Sequence, residues 1–216
     1  MFHRKSILAL AFCAAACGCS SGSGSTTAPS PAPVASAPPA APVPVLGPLQ
    51  TVVELATGKF HIEQSGSFAF GQSVTVPSSG AIGGPRFAWL DDTGKALPAV
   101  GQMGLFSSEY TGPPSAVSLF QKPGVPPEFV ARSVSIEGNA FVFDDSIILN
   151  AGTRYWFFAD TDDANGRFTD GGLLDAYPGG DFYVGYGTIN YARVLFKGGP
   201  QGIDVNFRLS GKPVLH

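Results

Sequence analysis

Ile203-Asp204-Val205-Asn206-Phe207-Arg208-Leu209 decides the fold class of this chain. On an extended backbone Ile203, Val205, Phe207 and Leu209 fall on one side, and Asp204, Asn206 and Arg208 fall on the other. Side chains alternate across a strand with period 2, so this is the pattern of a strand that packs one face on a core and turns the other to water. Gln72-Ser73-Val74-Thr75-Val76 and Ser133-Val134-Ser135-Ile136 repeat it.

Outward from this segment, β-branched and aromatic runs recur at 59–64, 67–76, 86–90, 116–121, 129–137, 140–150, 153–159, 181–186 and 191–196. Turn clusters separate them, among them Ser78-Ser79-Gly80, Asp92-Thr93-Gly94, Glu137-Gly138-Asn139, Ala151-Gly152 and Pro178-Gly179-Gly180. The chain holds 28 Gly and 19 Pro, the poorest helix formers, and no 3.6-residue pattern stands out beyond a short turn at 173–176. Short strands at this spacing without helices predict an all-β domain over 50–216, a two-sheet antiparallel sandwich or a barrel. A net charge of -3 leaves no basic surplus for neutralising phosphates, so nucleic acid is excluded as a partner.

The N-terminal quarter reads differently. Arg4 and Lys5 precede an apolar stretch over 7–16, too short to span a bilayer, which gives a signal peptide over 1–16. All three cysteines, Cys13, Cys17 and Cys19, lie in this region, so the domain has no disulfide framework. Ala14-Ala15-Ala16-Cys17-Gly18-Cys19-Ser20-Ser21 resembles a bacterial lipobox, with Ala14 where Leu is usual. The resemblance implies lipidation at Cys17, with Cys19 as the second position. Without Asp after either Cys, it also implies delivery to the outer membrane. Plain secretory cleavage after one of the alanines is the alternative. Residues 17–49 then form a lipidated N-terminus and a Ser/Gly/Pro-rich linker. From Ser20 to Pro48 it has no charge and no aromatic, the composition of a disordered, Pro-rich tether.

The turn Leu149-Asn150-Ala151-Gly152-Thr153-Arg154-Tyr155-Trp156 and the strand Asp204-Val205-Asn206-Phe207-Arg208 carry a wider resemblance, together with Tyr177-Pro178-Gly179-Gly180-Asp181-Phe182-Tyr183. Roughly over 66–211, the chain resembles the jelly-roll β-sandwich modules of exported bacterial proteins, including those with PEP-CTERM-type sorting tails. The resemblance implies a jelly-roll sandwich and an exported location, and it implies no catalytic residues. The sequence ends Lys212-Pro213-Val214-Leu215-His216, without such a tail.

Two features could carry chemistry. Asp160, Asp162, Asp163, Asn165 and Asp170 surround Gly166, and hard oxygen ligands around a glycine turn suit Ca²⁺. The spacing departs from a twelve-residue calcium loop, with Thr161 at its first position and Gly172 at its last. A solvated acidic turn is the other reading. Tyr177, Asp181, Tyr183 and Tyr186 lie in a Gly-rich stretch and are the candidate ligand-binding set, with rings to stack on a sugar and a carboxylate to hydrogen-bond it. Tyr155-Trp156-Phe157-Phe158 reads as core. Catalysis has little support: His61 and the terminal His216 are the histidines beyond the signal, and no Gly-x-Ser-x-Gly elbow occurs. The expectation is a non-enzymatic, envelope-tethered binding or structural module whose partner is a glycan or an envelope protein. The alternative is an extracytoplasmic hydrolase acting on glycans with a carboxylate pair.

Overall fold

The computed structural model describes residues 42–56, 60–63, 69–117, 126–160, 167–172, 177–186, 188–194 and 204–215. The expected signal, the expected lipidation sites and most of the expected tether lie outside these residues. Two antiparallel sheets pack face to face. The first has seven strands: β2 (Gln50–Leu55), β16 (Phe207–Leu215), β5 (Ile82–Trp89) and β9 (Ala140–Val142) run side by side, with β1 (Val45–Leu46), β8 (Ser135–Glu137) and β10 (Ile148–Leu149) added at their ends and edges. The second has six in the order β14 (Ile189–Arg193), β13 (Phe182–Tyr186), β4 (Ala69–Thr75), β11 (Arg154–Ala159), β6 (Met103–Phe106), β7 (Phe129–Arg132). A smaller three-stranded sheet joins β15 (Asp204–Val205), β12 (Arg167–Gly172) and β3 (Phe60–Glu63).

Through its eight main strands the chain crosses between the two large sheets at every step but one, from β6 to β7. Taking β2, β4, β5, β6, β7, β9, β11 and β16 as first to eighth, one sheet reads first–eighth–third–sixth and the other second–seventh–fourth–fifth. That is the jelly-roll order, two interleaved Greek keys. The β13–β14 hairpin extends the second sheet beyond β4. The inner faces meet in a core of Phe70, Val74, Phe87, Trp89, Leu105, Phe141, Phe157, Phe182, Phe207 and Leu209.

In the deciding segment Val205, Phe207 and Leu209 are buried, as their alternation requires. Asp204 and Asn206 are buried as well, at 1% exposure each, where water was expected. The cause is a change of sheet. The segment breaks at Asn206, between β15 and β16, and the Asn206 amide donates to the Asp91 carbonyl at 3.2 Å. A second crossing inverts Ser133-Val134-Ser135-Ile136. Ser133 is buried, donating its backbone N–H to the Met103 carbonyl and accepting the Met103 N–H on Oγ, while Val134 and Ile136 are exposed.

Other departures have local reasons. The expected strand at 116–121 begins as a helical turn, α1 (Pro114–Val117), because a proline at the first helical position needs no N–H partner. Residues 118–121 lie outside the described set, as does the turn at 173–176. β5 runs back through Gly83-Gly84-Pro85, where Gly84 takes a φ of +55° and any Cβ would meet Asp145 Oδ1 at 2.2 Å. Among the described residues no helix is long and apolar enough to cross a membrane.

The compact unit starts at Pro42, earlier than the boundary at residue 50. Val45 and Leu46 pair with Leu215 and Val214, and the Gly47 N–H donates to the Pro213 carbonyl at 2.8 Å. Leu46 also fills the space over Gly83, where an added Cβ would lie 2.7 Å from its methyl. Deleting 42–48 should therefore lower stability by about 1–2 kcal/mol through lost ladder bonds and apolar contact. A urea midpoint unchanged by the deletion would show that β1 adds nothing.

Candidate functional site

β11 is covered on both faces. Tyr155 and Phe157 point into the main core, whereas Phe158 enters a second aromatic cluster on the outer face of the six-stranded sheet. There Ala69, Phe106, Tyr183 and Tyr191 are roofed by Tyr110 and Val117 from the β6–β7 connection. Phe158 meets Tyr191 at 4.4 Å and Tyr183 at 5.2 Å between ring centroids. The Tyr110 hydroxyl donates to the Pro113 carbonyl at 3.1 Å. Burial, reinforced by the Glu128 charge, pushes its pKa up to about 12.

Beside this roof the outer face opens onto a polar patch. Trp156 is half-buried at the margin of the cluster, and its indole N–H donates across β4 to the Tyr183 hydroxyl at 3.1 Å. Next to it on β11, Arg154 reaches back to Thr75 Oγ1 at 3.4 Å and to Asp181 Oδ2 at 3.5 Å. Arg193 of β14 binds the other Asp181 oxygen, so one carboxylate holds two guanidiniums from different strands. Both arginine side chains are about 40% exposed, at 39% and 43%, against 14% for Asp181. Asp181 is fixed through its backbone: its N–H donates to Ser73 Oγ at 2.8 Å and its carbonyl accepts the Ser73 N–H at 2.9 Å. Thr75 Oγ1 in turn donates to the Gly179 carbonyl at 2.6 Å.

The expected ligand-binding residues are divided by this arrangement. Asp181 lies in the patch. Tyr183 contributes its hydroxyl, but its ring is 2% exposed and offers no face for stacking. Tyr177 is half-buried, donating to the Thr75 carbonyl and accepting the Thr75 N–H, with its ring edge against Phe207. Burial raises the hydroxyl pKa of both tyrosines. The backbone of Tyr186 ends β13, paired with Ile189. Of the acidic loop, Asp162, Asp163 and Asn165 lie outside the described residues, and Asp170 is placed as backbone within β12. Asp160 is half-buried, with Oδ1 accepting the Gln102 N–H at 2.7 Å. Among the described residues no three His, Cys, Asp or Glu side chains gather as a metal site.

Trp156 and Arg154 are the patch residues that the sequence reading left in the core strand. Their signal was parity: both sit out of phase with the inward Tyr155 and Phe157. Elsewhere, a cleft of about 160 Å³ beside Gln50, Ser79 and Pro213 falls below the roughly 300 Å³ at which ligand pockets begin. No known protein family, curated protein or solved structure matches the chain.

Proposed function

We propose that the chain is a non-enzymatic, envelope-tethered β-sandwich module that binds a saccharide on the outer face of its six-stranded sheet. The observation carrying this reading is the half-buried Trp156 flanked by Arg154, Asp181 and Thr75. An indole offers an apolar face to a pyranose ring, and fixed donors and acceptors beside it can hold hydroxyls. The strands that carry these groups are paired throughout, so the patch is set before a ligand arrives. A lipid on Cys17, or secondarily Cys19, would hold the module at the outer membrane, and mass spectrometry of the mature N-terminus checks that position.

The test uses tryptophan emission. The chain has two tryptophans, and Trp89 is 5% exposed within the core, so Trp156 is the one placed to report on the surface. Titrating the full chain with a panel of oligosaccharides should give a saturable emission change with at least one, and Trp156→Ala should abolish both that change and retention on the immobilised sugar. Failure of every oligosaccharide to bind overturns the reading. Release of new reducing ends during incubation would favour the hydrolase instead.

A further inference from the structure

We infer that the ligand of the Trp156 patch is an anionic saccharide, its carboxylate or phosphate seated between Arg154 and Arg193. The inference rests on the saccharide-binding reading of that patch and adds the charge of the ligand. Two guanidiniums face one carboxylate, so the Arg154–Asp181–Arg193 group keeps an uncompensated positive charge. Each guanidinium carries five N–H donors in a planar fork. The bonds to Thr75 and Asp181 engage few of them, and both side chains are more exposed than the acid they share. Asp181 is thus a positioning residue: tied to Ser73 through its own backbone, it aims two forks from β11 and β14 at one place. Such forks match the oxygens of a carboxylate or phosphate bidentately.

A sugar with one anionic substituent has a single favourable orientation on this patch, with that group on the arginines and its ring toward Trp156.

Three probes separate the outcomes in fluorescence titrations of the full chain: an oligogalacturonate, its methyl ester, and a hexose 1-phosphate. The expected result is at least tenfold tighter binding of the oligogalacturonate or the phosphate than of the ester, falling at least tenfold with Arg193→Gln and losing its salt dependence. Whichever anion binds tighter identifies the source. Arg154→Gln should act likewise, with the circular dichroism spectrum of each variant checking that it folds. Equal binding of acid and ester overturns the anionic inference while leaving the saccharide reading intact, and binding of none overturns both. A ligand-free measurement stands beside these. Iodide should quench Trp156 more strongly in wild type than in Arg154→Gln, while caesium quenching rises in the variant. An iodide quenching constant unchanged by Arg154→Gln would overturn the positive patch.

Discussion

Phe207→Ala lowers stability by about 3–5 kcal/mol, the cost of removing a buried ring and leaving its cavity. Phe207 has no exposed surface, stacks on Phe87 at 5.7 Å and receives the edge of Tyr177 at 5.3 Å. It lies on β16, between Leu55 of β2 and Trp89 of β5, so these partners are held by the sheet and cannot collapse into the space. In a domain of this size the loss corresponds to a fall in melting temperature on the order of 10 °C. Urea unfolding should show a lower midpoint at unchanged slope. Leu215→Ala, on the same strand but 52% exposed, should stay within about 0.5 kcal/mol. A midpoint for Phe207→Ala close to wild type would refute the placement of its ring.

Gly180→Ala is expected to cost about 3 kcal/mol or more for the opposite reason, too much volume. A Cβ at residue 180 would lie 1.7 Å from the Ser73 carbonyl oxygen and 2.6 Å from its carbon. Backbone cannot swing aside as a side-chain tip can. The entry to β13 must leave β4, breaking the two bonds between Ser73 and Asp181. Asp181 then no longer holds the two arginines, so the proposed saccharide binding should weaken along with stability. Gly80→Ala is the control, with nothing within 4 Å of its added Cβ. If Gly180→Ala unfolds at the same urea concentration as Gly80→Ala, the close approach of β13 to β4 is not a requirement of the fold.

Much of this architecture was legible in the sequence because period-2 alternation marks a strand wherever one face is buried. Val205, Phe207 and Leu209, and Val74 with Val76, behave as that argument requires. What alternation cannot mark is a change of sheet. At Ser133 and again at Asn206 the chain crosses between sheets without interrupting its residue pattern, so one expected strand became two. Met103–Phe106 was missed because the strand is buried at every position and has no polar partner face to reveal it. β1 was missed because a Pro/Val tract fits polyproline II as well as it fits an edge strand. The candidate site was partly legible. Asp181 stood out by its turn, but Trp156 was hidden in an aromatic run that the second cluster makes apolar on both faces.

The position of β16 bears on how the domain comes into being. It lies between β2 and β5, and Arg208 meets Glu54 across 154 positions of chain. Until this strand is present, the first sheet is two halves with a gap at the middle, and the core lacks Phe207 and Leu209. Pairings of such long range close slowly, and sandwiches of this contact order fold in milliseconds to seconds. A chain emerging from its N-terminus therefore leaves the first sheet open until nearly all of the sandwich has been delivered. β16 is the key that closes the sheet, and the strands before it wait for its arrival.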